Sequence, residues 1–106
     1  MFFELRQYKT KPGKRDAWVK TMEEKIIPFH ASNGVVVSGS FTGRDDDDTY
    51  VWLRRFDSPE QKEAFAKTIA ESDYWKNEVV PDIQEMLDRE AMVVTALEAT
   101  ALSVIN

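Results

Sequence analysis

The sequence predicts an α+β fold in which four antiparallel strands form one sheet and the helices lie on one of its faces. Runs rich in β-branched and aromatic residues alternate with runs whose apolar residues recur every three or four positions, in the order strand, helix, strand, strand, helix, strand. Right-handed crossovers then place both helices on the same side of the sheet. At 106 residues the chain has room for one domain, spanning residues 1–106.

The first strand is predicted in the run FELRQY, at residues 3–8. Its two-residue period places Glu4, Arg6 and Tyr8 on one face of the strand and the intervening residues on the other. If another layer covers the face with the charged residues, these side chains line a cavity, and cavities are where small molecules bind.

A helix is predicted after the turn KPGK, because Trp18, Met22 and Ile26 recur at helical spacing. Pro28 lacks the N–H that would bond to the carbonyl four residues earlier, so a kink is expected there. The helix is expected to end near Ser32, where the following Asn-Gly pair supplies a left-handed stop.

Two further strands are predicted at residues 35–42 and 49–56, joined by a polar loop. The loop contains four consecutive aspartates. They lack the alternating ligands, central glycine and distal glutamate of a helix-flanked calcium loop, so we expect a solvated hairpin tip.

The second helical region is predicted in two pieces. Ser58 caps the first piece, Pro59 takes its first helical position, and Gln61 closes a capping box. A second start at Ser72 leads into an apolar stripe made of Trp75, Val79, Ile83, Met86 and Leu87. The last strand is expected at residues 91–97, and the apolar tail after it is expected to pack against the protein.

The composition argues against several classes of function. Lys and Arg number 14 against 19 Asp and Glu, which gives a net charge of −5 and disfavours binding to nucleic acid or to an anionic membrane surface. The chain has no cysteine, which excludes disulfides and thiolate ligands. No apolar run is long enough to cross a bilayer and no secretory signal pattern is visible, so a cytoplasmic location is expected.

The alternation of residues along the third strand indicates which face of the sheet is open. Val51 and Leu53 alternate with Trp52, Arg54 and Phe56. We expect Val51 and Leu53 to face the helices, which leaves an aromatic patch on the open face that a monomer rarely tolerates. Two such sheets packed face to face would bury the patch, so the sequence predicts a homodimer with polar side chains inside a barrel.

Three segments of the chain resemble the NIPSNAP family: FELRQYKTKPGK, VWLRRFDSPEQKEA and SDYWKNEVVP. The likeness consists of a strand with Glu-Leu-Arg-x-Tyr, a Lys-Pro-Gly turn, an aromatic-Asp-Ser helix start and an Asp-x-x-Trp-type segment, and it covers most of the chain. The resemblance implies a ferredoxin-like βαββαβ domain that pairs as a dimeric α/β barrel, in a family whose biochemical role is poorly defined. Relatives often place a histidine where the third strand here has Trp52.

The candidate substrate-binding residues are two arginines and two aromatic residues on the predicted open face. Arg6 and Arg54 can hold an anionic or carbonyl-bearing compound, because a guanidinium binds a carboxylate through two parallel hydrogen bonds. Trp52 and Phe56 would line the same cavity. An alternative stays open, in which the arginines pair with carboxylates and only fix the register of the dimer.

The candidate proton-transfer residues are Tyr8, Glu4 and His30, the single histidine of the chain. Each also has a purely structural interpretation: a packed tyrosine with a satisfied hydroxyl, a paired carboxylate, and a histidine at a helix end bonded to the backbone. Trp18 and Trp75 lie on helical stripes and are expected in the core. No cofactor and no metal site are predicted, since a metal would have His30 as its one strong ligand.

Two functions follow from these residues. The first is a homodimeric small-molecule-binding protein, with a cavity that could serve an enzyme acting on a small anionic or carbonyl-bearing substrate. The second is a non-catalytic homodimer with a structural or protein-interaction role, whose polar interior only sets the register.

Overall fold

The computed structural model describes all 106 residues and contains one antiparallel sheet in the order β2-β3-β1-β4. The strands are β1 (Phe2–Thr10), β2 (Val36–Thr42), β3 (Thr49–Phe56) and β4 (Leu87–Leu97). Each neighbouring pair is antiparallel, and the strand and helix order is βαββαβ. The α+β class and the ferredoxin-like arrangement expected from the sequence are confirmed.

Two helical connections cover one face of this sheet. The first runs through α1 (Arg15–Thr21), a π-helical turn (Met22–Ile26) and α2 (Ile27–Ser32). The second runs through α3 (Pro59–Glu71), another π-helical turn (Trp75–Val79) and α4 (Val80–Met86).

The two π-helical turns have the same local cause. In each, an N–H bonds to the carbonyl five residues earlier, from Ile27 to Met22 and from Val80 to Trp75. A proline follows one residue after each of these donors, and a proline both lacks the N–H and crowds the carbonyl four residues earlier. The widened turn relieves that conflict, so the kink predicted at Pro28 takes the form of a π-bulge just before it.

Local signals placed most element boundaries correctly. Ser58 Oγ accepts a hydrogen bond from the N–H of Gln61 at 3.1 Å, as the capping prediction requires. The first helical connection ends at Ser32, and Gly34 beyond it has φ of +75°, the left-handed conformation that favours glycine. Strand β4 starts at Leu87, four residues before the predicted residue 91, so Leu87 belongs to the sheet and not to a helical stripe.

The expected orientation of the sheet is wrong. Tyr8 and Trp52 are buried with Trp18, Met22 and other helical residues in the larger hydrophobic cluster, so their face of the sheet lies under the helices of the same chain. Phe56 is buried with Phe65 of α3 in a smaller cluster. The large aromatic side chains fill the thick space between sheet and helices, whereas Val51 and Leu53 lie on the opposite face.

The face turned away from the helices is apolar and partly open. It carries exposed side chains on both edge strands, with exposed fractions of 57% for Phe41 and 51% for Val93. The tail after β4 covers one end of this face, where Ile105 and Ser103 meet Phe3 and Leu53 around a small cavity. The tail packs only in part, because Leu102 is 95% exposed and Val104 is 96% exposed.

No helix of the chain is both long enough and apolar enough to cross a membrane.

Candidate functional site

The register of β1 against β3 brings the predicted polar residues together beneath the helices. Glu4 lies opposite Arg54, and Arg6 lies opposite Trp52. Tyr8 follows on the same face of β1, opposite Tyr50. Because residues two apart on a strand share a face, Glu4, Arg6 and Tyr8 form one row between the sheet and the helices.

Glu4 is the centre of an ion-pair cluster. Its Oε1 accepts hydrogen bonds from Arg6 Nη1 at 2.7 Å and from Arg54 Nη2 at 2.7 Å and Nε at 3.0 Å. Its Oε2 lies 2.9 Å from Nζ of Lys62, which reaches down from α3. Glu4 is 2% exposed, so a buried carboxylate is surrounded by three cations.

The cluster keeps Glu4 ionised. Burial alone would raise the pKa of Glu4, but the hydrogen bonds and charges of Lys62, Arg54 and Arg6 outweigh burial and lower the pKa to about 2. A carboxylate with this pKa holds cations well and is a poor proton carrier near neutral pH. The geometry therefore gives Glu4 the role of a counter-ion.

His30 supports Arg54. Its Nδ1 lies 2.7 Å from the Ile26 carbonyl, and its Nε2 lies 3.0 Å from Arg54 Nη1. Burial lowers the pKa of His30 to about 4, and the neighbouring arginine charges lower it further. The hydrogen bond to the Ile26 carbonyl raises the pKa but does not outweigh them. Both ring nitrogens are thus occupied on a neutral imidazole.

Of the two arginines that are paired with Glu4, Arg6 is the one with a free donor group. Its Nε donates to the Tyr8 hydroxyl at 2.7 Å and its Nη1 to Glu4, whereas Nη2 has only the sulfur of Met92, at 3.8 Å. Burial disfavours the charge, but Tyr8 and Glu4 outweigh it and raise the pKa of Arg6. A thioether is a weak acceptor, so Nη2 can bind a stronger one.

A cavity of about 280 Å³ lies against Arg6, between the sheet and the helices. Nine of its twelve lining residues are hydrophobic, and the other three are Arg6, Arg54 and Arg89. This volume is at the lower end of the range of small-molecule sites. A larger depression of about 650 Å³ lies elsewhere, around Lys9 and Asp48, but only one of its ten lining residues is hydrophobic.

The structure separates the predicted site residues into two groups. Four of them line the cavity: Arg6, Tyr8, Trp52 and Arg54. The other three do not line the cavity. Glu4 and His30 form hydrogen bonds with the arginines, and Phe56 belongs to the smaller hydrophobic cluster.

Several residues of the site were missed by sequence reasoning. Trp18 and Trp75 line the cavity as well as contributing to the core around it. Lys62 contacts Glu4 across 58 positions of sequence, and Arg89 and Met92 come from the last strand. The helical spacing of the two tryptophans was visible, but nothing local indicates a contact between α3 and β1.

No group of three or more His, Cys, Asp or Glu side chains is placed to hold a metal ion. Within the run of four aspartates in the hairpin loop, Asp46 stabilises the loop itself. Asp46 accepts hydrogen bonds from the N–H of Thr49 at 2.9 Å and from Lys9 Nζ at 3.4 Å, which orders the loop.

Comparison with solved structures finds close matches to the whole fold. A NIPSNAP family protein of unknown function from Agrobacterium tumefaciens has a TM-score of 0.86 and 20% identity, over 100% of this chain and 94% of that one. An uncharacterized NIPSNAP domain protein from Burkholderia xenovorans has a TM-score of 0.81 and 18% identity, over 97% and 98%.

A more distant match carries a functional name. A protein from Caulobacter crescentus named "putative antibiotic biosynthesis monooxygenase" has a TM-score of 0.72 and 17% identity, over 93% of this chain and 89% of that one. At this identity the likeness concerns the fold. No curated protein matches the chain.

The family assignment comes from the sequence itself. The NIPSNAP family model matches residues 3–102, which include both helical connections and all of the sheet except Phe2. The chain therefore belongs to the NIPSNAP family.

Proposed function

We propose that the chain is a homodimeric small-molecule-binding protein whose cavity takes a small compound with an anionic or carbonyl group. The observation that carries this proposal is Arg6 Nη2, a charged donor at an apolar cavity with only the sulfur of Met92 as a partner. A partly buried charged donor gains free energy when a carboxylate or carbonyl oxygen replaces so weak an acceptor.

The balance of charge supports an anionic ligand. Glu4 is one carboxylate among three cations, Arg6, Arg54 and Lys62, and His30 beside them is neutral, so the cluster carries an excess of two positive charges. Arg89 adds another cation to the lining of the cavity. A negative ligand is attracted to such a site although the chain as a whole is acidic.

Homodimer formation is proposed through the face of the sheet that the helices leave open. Leu53 and Val51 lie at its centre, and Phe41, Val93 and Leu97 are exposed around them. An apolar sheet face of this kind is rarely left in water. A second copy presents the same surface, so a two-fold axis lying between the two sheets would cover both faces at once.

Catalysis is a second candidate function, favoured by the Tyr8 hydroxyl. The oxygen of Tyr8 accepts a hydrogen bond from Arg6 Nε at 2.7 Å, and its own proton has no recorded acceptor. The Tyr8 hydroxyl can donate a hydrogen bond to a carbonyl oxygen in the cavity and so polarise it, and the Arg6 guanidinium stabilises the negative charge that this draws onto the Tyr8 oxygen. His30 and Glu4 were the other two candidates for proton transfer. They contact the arginines by hydrogen bonds, so their role in catalysis would be to position Arg6 and Arg54.

Native mass spectrometry of the purified chain with an excess of benzoate tests both halves of the proposal. We expect twice the monomer mass of 12.2 kDa, with benzoate retained by the wild type and lost in Arg6→Met. A monomer would overturn the dimer. If wild type and Arg6→Met are both dimers and retain the same amount of benzoate, the result would favour the alternative, a non-catalytic homodimer with a structural role. The cytoplasmic location stays a prediction.

A further inference from the structure

Strand β4 carries a large bulge beside the cavity. Its pairing with β1 is interrupted at Tyr8, so that residues 89–92 of β4 all lie opposite this one residue. Extra residues in one strand of a pair re-aim side chains and are common beside functional sites. Two of the residues in this bulge, Arg89 and Met92, line the cavity.

The direction of the Arg89 side chain follows from the alternation along β4. Leu87 is buried in the larger hydrophobic cluster beneath the helices, and Arg89, two residues further along, shares this face. The acidic neighbours Asp88 and Glu90 lie on the opposite face by the same alternation. Arg89 takes part in no ion pair of the chain, so no carboxylate compensates its charge.

Arg89 lies at the open end of the cavity. Of the twelve lining residues it is the only exposed one, and the other eleven are buried or half-buried. A compound that enters from solvent therefore meets this side chain first. No acidic residue lines the cavity, so nothing in its wall repels an anion from the guanidinium.

Arg6 and Arg89 are two separate positions for an acidic group in one cavity. Nη2 of Arg6 lies 3.8 Å from Sδ of Met92. Met92 and Arg89 are three residues apart, which limits the distance between their Cα atoms to about 11 Å. Both arginines border the same space of about 280 Å³, so one small compound can reach both. All three guanidinium nitrogens of Arg54, the remaining arginine of the lining, already have partners.

We infer that the ligand class is a small compound with two acidic groups, one bound by Arg6 Nη2 inside the cavity and the other by Arg89 at its mouth. This inference rests on the proposed function and deepens it. The nine hydrophobic residues of the lining suit an apolar body between the two acids. A compound with one acid leaves one guanidinium without a partner, and inorganic phosphate leaves the apolar lining unused.

The test is a calorimetric titration that compares matched dianions and monoanions. Isophthalate and terephthalate carry a second carboxylate at two different distances from the first, and the monomethyl ester of each keeps the shape but removes one charge. Arg89→Met removes the guanidinium at the mouth, and Arg89→Lys keeps its charge. Arg44→Met is the matched control, because it loses the same charge from an exposed arginine outside the cavity.

We expect at least one of the two dianions to bind about tenfold more tightly than its monomethyl ester, the size of one hydrogen bond to a charged group. Arg89→Met should abolish this difference and leave the affinity for the ester nearly unchanged, since the ester needs only Arg6. Arg89→Lys should keep part of the difference and Arg44→Met all of it. The melting temperature of the Arg89 variants should match that of the wild type, since Arg89 forms no ion pair.

Failure of this inference can be distinguished from failure of the proposed function. If the esters bind in an Arg6-dependent way but neither dianion binds more tightly, the inference is overturned and the proposed function stands. The same holds if the gain of the dianion survives Arg89→Met, or if Arg44→Met reduces it equally. If none of the compounds binds, or if all bind Arg6→Met as tightly as wild type, both are overturned.

Discussion

Arg54 donates a hydrogen bond from Nη1 to Nε2 of His30 over 3.0 Å, and this bond fixes the state of the imidazole. The Ile26 carbonyl, 2.7 Å from Nδ1, can only accept, so the single proton of the neutral ring is on Nδ1. Nε2 is then the acceptor for Arg54. His30 is thereby a positioning residue for an arginine of the cavity, and protonation of the ring would break that contact.

The first prediction is a loss of stability in mild acid. The unfolded chain binds a proton on His30 below a pKa of about 6.5, whereas the folded chain does so only below about 4. Between these values unfolding takes up a proton, so the free energy of unfolding decreases as the pH falls from about 6.5 to about 4. The pKa difference corresponds to about 3 kcal/mol, measurable by urea denaturation at a series of pH values.

The matched variant is His30→Gln, which keeps polar atoms near Ile26 and Arg54 but does not titrate in this range. We expect its stability to change much less across this pH window. Parallel pH profiles for wild type and variant would show that His30 is not the group responsible.

The second prediction concerns the counter-ion of the arginines. Glu4→Gln removes the charge that Arg6 and Arg54 share and leaves two guanidinium groups without compensation under the helices. Breaking a buried pair in this way costs about 3–5 kcal/mol. Lys62→Met is the control, because the Lys62 side chain is 45% exposed and its loss leaves Glu4 paired to both arginines.

Thermal denaturation of the two variants gives the comparison. Glu4→Gln should lower the melting temperature strongly, and Lys62→Met should lower it slightly, since a pair with one exposed partner is worth about 0–1 kcal/mol. Equal effects of the two substitutions would mean that the cluster is solvated and that Glu4 does not hold the arginines.

The third prediction concerns the proposed dimer. Phe41 is 57% exposed on the face of the sheet away from the helices, so Phe41→Asp disturbs little within one chain. If two sheets pack face to face, the new carboxylate is buried without a partner and the dimer dissociates. Tyr74→Asp is the control, since Tyr74 is also exposed, at 45%, but lies in the helical layer against Phe29.

Sedimentation velocity of the three proteins reports their assembly state. We expect dimers for the wild type and Tyr74→Asp and a folded monomer for Phe41→Asp. A Phe41→Asp protein that remains dimeric at micromolar concentration would place the interface elsewhere.

The elements themselves were predictable because their signals are local. Strand β3 has the predicted bounds Thr49–Phe56, and the Ser58 cap works through contacts within four residues of sequence. The start of β4 was missed because residues 88–90 are all charged and lack the β-rich composition. Pairing with β1, such as Lys9 opposite Asp88, holds them in the sheet.

The orientation of the sheet could not be read from the same signals. A two-residue period shows that Trp52 and Arg54 share a face, but it does not show which face meets the helices. Both faces of β3 carry large apolar residues, and the charges beside Trp52 favoured the open side. Those charges are tolerated beneath the helices because Glu4, His30 and Lys62 satisfy them, through contacts that only the tertiary fold brings together.

Calorimetric titration of benzoate into wild type and Arg6→Met tests the central claim most directly, that the donor of Arg6 is free for a ligand. Arg44→Met, the loss of an exposed arginine with no recorded bond, is the control. We expect Arg6→Met to weaken binding at least tenfold, Arg44→Met to leave it unchanged, and both to keep their melting temperature, since Glu4 stays paired to Arg54 and Lys62. Unchanged benzoate binding in Arg6→Met, or a large fall in its melting temperature, would contradict the account.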